Sequence, residues 1–162
     1  LRMRKLPPLG GDTIFADTAA IYADLPPDVK ARIEHLDAEH DILRSFGYRV
    51  SKEKAEQLRR EHPVQTHPVV RRHVETGERH LFVNHVFTSR ILGLEEKEAA
   101  DLLAYLVDRV KAPEYHVRFR WRENDIAFWD NRATQHYGVL DYWPHERIVE
   151  RVTVQGEDRP QR

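Results

Sequence analysis

The segment from residue 115 to residue 122 alternates between apolar and charged or imidazole side chains. The apolar set is Tyr115, Val117, Phe119 and Trp121, and the polar set is His116, Arg118, Arg120 and Arg122. Because successive side chains of a strand point to opposite faces of a sheet, this pattern predicts a β-strand buried on one face only. A chain that contains such a strand needs an apolar layer on one side of it and water on the other.

Further strands are predicted at both ends of the chain and in its middle. Residues 1–6 alternate apolar and basic side chains before a proline- and glycine-rich turn, and residues 147–155 supply the last strand. Residues 67–73 and 80–84 flank a glycine-containing turn of hairpin length. The turns between these strands favour antiparallel pairing.

Helices are predicted between the strands. Residues 17–22 and the segment that starts at Pro26 have the features of short surface helices, and residues 95–110 carry an apolar stripe at helical spacing. Residues 51–62 are so polar that they indicate either an exposed helix or a mobile lid. Since strands outnumber helices, the prediction is a mainly β fold, a sandwich decorated by helices.

Length and composition limit the classes of function. The 162 residues fit a single domain, residues 1–162, and 40% of them are apolar, which is enough for a core. The 26 basic and 27 acidic side chains nearly balance, so charge does not favour nucleic acid or a membrane surface as a partner. The absence of cysteine excludes disulfides and thiolate chemistry, and the expected location is the cytoplasm.

The first residues of the chain bear on whether the expected domain is complete at its N-terminus. It begins at Leu1 without an initiator methionine and within an alternating, strand-like pattern. We therefore expect the domain to be incomplete at its N-terminus.

Two arginines near the C-terminal end are candidate anion-binding residues. On an extended strand, Arg147 and Arg151 project to the same face as Val149. Each guanidinium presents a planar fork that fits a carboxylate or sulfonate, and two of them facing inward would need anions. The structural alternative is that both are outward charges on an edge strand.

The chain resembles the taurine dioxygenase family of iron(II)/2-oxoglutarate-dependent oxygenases. The resemblance rests on residues 10–13 (Gly-Gly-Asp-Thr), residues 129–132 (Trp-Asp-Asn-Arg), residues 134–137 (Thr-Gln-His-Tyr) and the spacing from His136 to Arg147. It covers almost the whole chain and corresponds to the C-terminal two-thirds of that family. It implies a double-stranded β-helix, or jelly roll, with helical decoration.

The resemblance implies an Fe(II) site in which His136 is one of the ligands. Non-haem Fe(II) in this class is held by two histidines and one carboxylate. The His-x-Asp motif that supplies the other two ligands would lie upstream of Leu1, and no His-x-Asp occurs in this sequence. Without the resemblance, a single histidine in such a segment would most often be structural. A member of the family that has lost its metal remains the alternative.

The resemblance also implies roles for five further residues. Arg147 matches the arginine that holds the distal carboxylate of 2-oxoglutarate, with a hydrogen bond from Thr13. Arg151 matches the arginine that holds the sulfonate of the substrate. Phe46 and Phe87 match aromatic walls of the substrate pocket, although either could instead belong to the core.

The implied activity is hydroxylation of a small sulfonate such as taurine, with O2 as co-substrate and release of sulfite, succinate and CO2. The same chemistry on alkyl sulfates or other small organic acids is one alternative. A non-catalytic jelly-roll protein that binds anions is another. The family resemblance further implies a homo-oligomer.

Overall fold

The computed structural model describes residues 1–156 and 159–162, without the side chains of Phe46 and Tyr48. The chain divides into two compact units. Unit 1 comprises Leu1–Asp17 and Pro113–Arg159, and unit 2 comprises Thr18–Ala112 and Pro160–Arg162. The prediction of a single domain stays a prediction.

The described residues form ten strands, five α-helices and two 3₁₀ turns. The strands are β1 (Arg2–Lys5), β2 (Thr13–Asp17), β3 (Asp37–His40), β4 (Gln65–Pro68), β5 (Val70–Arg72), β6 (Arg79–Leu81), β7 (Thr88–Ile91), β8 (His116–Phe119), β9 (Thr134–Gly138) and β10 (Ile148–Glu150). The α-helices are α1 (Thr18–Ala23), α2 (Pro27–Ile33), α3 (Leu43–Phe46), α4 (Lys52–Glu61) and α5 (Glu96–Arg109). Short 3₁₀ turns cover Gly47–Arg49 and Pro113–Tyr115.

Unit 1 contains two antiparallel sheets. In one of them β2 lies between β8 and β9, and in the other β1 pairs with β10. Directly opposite residues of antiparallel strands share a face, so the pairs of Thr13 with Phe119 and of Phe15 with His136 place these four side chains on one face of the sheet. Thr13 and His136, two of the predicted site residues, therefore lie on the same face of this sheet.

Unit 2 contains a three-stranded sheet, in the order β4-β3-β7, and the β5–β6 hairpin. Helix α5 buries Ala99, Leu102 and Leu106, the last of which is completely inaccessible to solvent. Burial of one such leucine stabilises the fold by about 1.5–3 kcal/mol. Acidic residues in the first turn and Arg109 in the last complement the helix dipole.

Most of the predicted elements are confirmed. The short helices at residues 17–22 and after Pro26 correspond to α1 and α2, and the apolar stripe at 95–110 corresponds to α5. Residues 51–62 form the exposed helix α4, in which the Ser51 side chain accepts a hydrogen bond from the amide of Lys54 at 3.3 Å. The hairpin is formed by β5 and β6.

Several predicted strand boundaries were wrong. Residues 67 and 68 belong to β4, which pairs with β3 and not with the hairpin. Tyr115 lies in a 3₁₀ turn, so β8 covers His116–Phe119 instead of residues 115–122. Val117, on the face predicted to be buried, is 65% exposed. The last strand covers only Ile148–Glu150 instead of residues 147–155, because its partner β1 pairs with it only over that stretch. Val152 and Val154 beyond it are exposed.

The α-helices of the described residues are all too short or too polar to cross a lipid bilayer.

Candidate functional site

A tight turn formed by two glycines precedes β2. Gly10 and Gly11 have φ angles of 72° and 74°, a region that glycine enters without steric cost. A Cβ on Gly10 would lie 2.3 Å from Oδ1 of Asp141, and a Cβ on Gly11 would lie 3.0 Å from Cδ of Arg147. The Asp141 carboxylate accepts a hydrogen bond from the Gly11 amide at 2.8 Å. Both backbone angle and local crowding therefore require glycine here.

The turn and β2 together fix the Arg147 guanidinium. Its Nε donates to the Gly11 carbonyl oxygen at 2.8 Å, and its Nη2 donates to Oγ1 of Thr13 at 3.3 Å. Thr13 is 3% exposed, and its Oγ1 also accepts a hydrogen bond from the Trp121 indole at 3.0 Å. The structure thus brings together Arg147 and Thr13, to which the family resemblance assigns the co-substrate; that role stays a prediction.

Arg147 is half-buried, and no carboxylate of the described residues forms an ion pair with it. A guanidinium carries five N–H donors, of which the backbone and Thr13 occupy only a part. Withdrawing a cation from water without an anionic partner is costly. The guanidinium therefore keeps N–H donors that the described hydrogen bonds do not use, and its predicted role in binding an anion stays a prediction.

His136 lies in β9, on the sheet face shared with Phe15 and Thr13. Its imidazole packs edge-on against the Trp129 ring, with centroids 5.2 Å apart, and lies 6.3 Å from the Phe15 ring. Although His136 as a whole residue is exposed, partial burial of its ring among these side chains lowers its pKa, and the positive charge of Arg151 lowers the pKa further. The ring is therefore neutral at pH 7 and keeps a lone pair for a cation.

Arg151 lies just beyond the end of β10 and is exposed. Its charge acts on the His136 imidazole, so it is within electrostatic reach of that ring. The predicted continuous strand through Arg147 and Arg151 does not form, and the two arginines instead flank β10.

The two predicted aromatic pocket residues lie in unit 2. Phe87 precedes β7, is 36% exposed, and its amide donates to Oδ1 of Asn84 at 2.7 Å. Phe46 ends α3, and its side chain lies outside the described residues. Their role as pocket walls stays a prediction.

The three-ligand iron site is not complete within the described residues. No group of three or more histidine, cysteine, aspartate or glutamate side chains with metal-binding geometry occurs there. His136 fits one position of such a site, because it is a neutral imidazole on an open sheet face. The prediction that the other two ligands lie upstream of Leu1 stays a prediction.

The sequence interpretation missed two residues that support the Arg147 site. Trp121 was placed on a buried strand face, but its hydrogen bond to Thr13 was not foreseen. Asp141 lacked any sequence signal, because its contact with Gly11 joins residues that are far apart in the chain. Such contacts depend on tertiary structure and leave no local pattern.

Unit 1 is thus built from antiparallel strands and contains both His136 and Arg147, the predicted metal and co-substrate residues. The taurine catabolism dioxygenase TauD, TfdA family matches residues 1–153. The chain belongs to this family.

Two related proteins are similar to nearly the whole chain. The chain is 39% identical to an alkylsulfatase from Acinetobacter baylyi over 97% of its own length and 51% of the relative. It is 42% identical to an alpha-ketoglutarate-dependent sulfate ester dioxygenase from Pseudomonas putida, over 97% of the chain and 54% of the relative. The chain therefore spans about half the length of these relatives.

A crystal structure of AAD-2 in complex with Mn(II) and N-oxalylglycine matches 99% of the chain with a TM-score of 0.85 and 29% identity. The match covers 63% of that structure. Enzymes of the taurine dioxygenase type have a jelly-roll fold, so the predicted fold class is confirmed.

Proposed function

We propose that the chain is part of an Fe(II)/2-oxoglutarate-dependent dioxygenase that oxidises a small organic sulfonate or sulfate ester. The observation that carries this proposal is the half-buried Arg147, which is fixed by Gly11 and Thr13 and has no carboxylate partner among the described residues. Membership of the family supports it. A substrate anion would complete the hydrogen bonding of the guanidinium.

Arg147 and Thr13 would hold the distal carboxylate of 2-oxoglutarate. A dicarboxylate needs a fixed counter-charge, and a guanidinium binds a carboxylate in a planar, bidentate manner. The hydrogen bond from Arg147 to the Gly11 carbonyl restricts its rotation before the ligand arrives. The site is therefore organised in advance, which lowers the entropy lost on binding.

His136 would supply one ligand to Fe(II), and two more would come from outside the 162 residues. The neutral state of its imidazole suits a cation, and the neighbouring Trp129 and Phe15 rings restrict its orientation. When bound, the iron would supply the oxidation of both 2-oxoglutarate and the organic substrate by O2. The protein would contribute position, charge and exclusion of water.

Arg151 would hold the sulfonate or sulfate group of the organic substrate. This role is supported by its exposed position beyond β10 and by its electrostatic reach to His136, near which the reacting carbon must lie. Phe46 and Phe87 would form apolar walls around the substrate. A homo-oligomer, expected from the resemblance, is also part of the proposal.

Two substrate classes remain candidates. The description of the family names taurine catabolism, which favours a sulfonate. The two relatives are named for alkyl sulfates and sulfate esters. Hydroxylation at the carbon bearing the sulfur group would release sulfite from a sulfonate. Hydroxylation at the carbon bearing the ester oxygen would release sulfate from an alkyl sulfate. The inorganic product therefore distinguishes them.

The first test is anaerobic titration of the complete protein with Fe(II) and 2-oxoglutarate, followed by absorption spectroscopy. We expect a visible band from the iron chelate, which shifts when the preferred substrate, taurine or a short alkyl sulfate, is added. His136→Ala is expected to abolish the band without loss of solubility. If the wild-type protein shows no band, the non-catalytic anion-binding protein becomes the better interpretation.

A further inference from the structure

We infer that Trp121 is a positioning residue for 2-oxoglutarate, because its indole N–H fixes the Thr13 hydroxyl in the orientation that presents a proton to the ligand. This inference rests on the proposed function of Arg147 and Thr13. It adds a residue that does not touch the co-substrate and acts only through Thr13.

The hydrogen bond between Trp121 and Thr13 is buried. The two residues are 5% and 3% exposed, and Nε1 lies 3.0 Å from Oγ1. An indole has a single hydrogen-bond donor and no acceptor. The Trp121 ring packs edge-on against Phe119, with centroids 4.7 Å apart, which limits its rotation. The donor therefore has a fixed direction.

The Thr13 hydroxyl has two acceptor positions and one proton. Trp121 and Arg147 both donate to its oxygen, at 3.0 Å and 3.3 Å, and so occupy both acceptor positions. The hydroxyl proton does not reach any acceptor within the described residues. It is left for an external acceptor beside the Arg147 guanidinium, and a carboxylate oxygen of 2-oxoglutarate is an acceptor of that kind.

Removal of the indole N–H would free one acceptor position on Thr13. The hydroxyl could then rotate, and its proton would spend less time directed at the ligand. A tryptophan that only filled space would not have this effect, since an aromatic replacement would keep most of the packing. The two roles therefore predict different results for Trp121→Phe.

The test compares Trp121→Phe with Trp143→Phe as the matched control, since Trp143 is 87% exposed. The dissociation constant of 2-oxoglutarate is measured by anaerobic titration of the iron-loaded complete protein. We expect it to rise about 2- to 10-fold in Trp121→Phe, as for loss of one hydrogen bond, and to stay unchanged in the control. In turnover, KM for 2-oxoglutarate should rise while KM for the sulfur-containing substrate stays constant.

A double-mutant cycle tests whether Trp121 acts through Thr13. In a Thr13→Val background, Trp121→Phe should change the dissociation constant by less than about twofold, because the hydroxyl is already absent. Additive losses would overturn the inference, as would a Trp121→Phe variant that binds 2-oxoglutarate like wild type. If the wild-type protein itself does not bind 2-oxoglutarate, the proposed function fails instead.

A measurement on the wild-type protein covers the case in which Trp121→Phe does not fold. The ¹⁵N–¹H indole resonance of Trp121 should be protected from solvent exchange and should shift when 2-oxoglutarate binds. The resonance of Trp143 should exchange rapidly and stay in place. A Trp121 resonance that does not respond to 2-oxoglutarate would contradict the inference.

Discussion

At the scale of single residues, Arg147 and Arg151 carry the same charge in different surroundings. Arg147 is half-buried and fixed by the Gly11 carbonyl and the Thr13 hydroxyl, whereas Arg151 is exposed and acts on His136 only through its charge. A guanidinium held by hydrogen bonds favours one geometry of a bound anion, while an exposed one tolerates several. This difference supports the proposed division, in which Arg147 holds the constant co-substrate and Arg151 the variable organic substrate.

Substitution of the two arginines should separate the two ligands. Arg147→Ala is expected to weaken 2-oxoglutarate binding by a few kcal/mol and the organic substrate much less, since it removes a partly desolvated counter-charge. Arg151→Ala should do the reverse. Separate equilibrium titrations with each ligand measure both effects.

Arg120→Ala is the control for loss of an exposed positive charge, because Arg120 follows β8 on the surface. It should change neither affinity by more than a small factor. Equal effects of Arg147→Ala and Arg151→Ala on both ligands would contradict the division of roles.

His40 in unit 2 is a second histidine whose surroundings lower its pKa. Its ring contacts those of His67 and Phe82, with centroid distances of 5.4 Å and 5.5 Å, and its buried Nε2 has no hydrogen-bond partner among the described residues. Burial is the main cause that lowers the pKa of His40 to about 4, and the neighbouring His67 adds to it. The folded state therefore requires the neutral ring.

The stability of the protein should fall as His40 is protonated. Because the unfolded chain takes up this proton near pH 6.5 and the folded chain only near pH 4, the stabilising contribution is fully present above pH 6.5 and is lost as the pH falls towards 4. The loss should amount to about 1–3 kcal/mol. Urea unfolding at pH 5 and pH 7 measures it.

His40→Leu should reduce this dependence on pH, whereas His62→Gln, at an exposed position, should leave it unchanged. An identical difference in unfolding free energy between pH 5 and pH 7 in wild type and His40→Leu would rule out His40 as the cause.

At the scale of elements, the Gly10–Gly11 turn illustrates how backbone angle and crowding combine. Gly77, in the β5–β6 hairpin turn, has a φ angle of 74°, close to that of Gly10 at 72°, but a Cβ on Gly77 would meet no atom within 4 Å. The two glycines therefore share the conformational requirement and differ in the space around them. Substitutions at the two positions therefore separate the cost of the backbone conformation from the cost of steric crowding.

Gly77→Ala is expected to destabilise the protein by about 1–2 kcal/mol, the cost of a left-handed backbone with a side chain. Gly10→Ala should cost about 1–3 kcal/mol more, because the new methyl group would displace Asp141 from the Gly11 amide. Chemical denaturation of both variants measures the difference. Equal losses would show that Asp141 moves aside without cost.

Elements set by local periodicity could be predicted from the sequence, while those set by pairing could not. The apolar stripe of α5 specifies a helix on its own, and its observed range differs by one residue at each end from the prediction. The length of β10 depends on its partner β1, at the opposite end of the chain, and the valines that continue its pattern are left exposed. A strand extends only where another strand supplies hydrogen-bonding partners.

At the scale of the whole molecule, short motifs predicted the family and the fold better than composition did. The ordered set of the glycine turn, His136 and Arg147 was sufficient to predict the family and the jelly-roll fold, both of which are confirmed. The division into two units was not predicted, because no change in composition marks Asp17 or Pro113. The roles of the site residues stay proposals, since a role requires a bound ligand.

The hydrogen bond from Arg147 to Gly11 joins residues that are 136 positions apart, and Thr13 meets Trp121 across 108 positions. On the ribosome, Gly11 and Thr13 therefore emerge long before the residues that complete their site. Residues 18–112 of unit 2 form one continuous stretch and can fold during that interval. Closure of such a long loop carries its entropic cost before Arg147 gains its contacts with Gly11 and Thr13. A chain interrupted before Arg147 would thus contain Thr18–Ala112, without Pro160–Arg162 of the same unit, and would lack the guanidinium that contacts Gly11 and Thr13.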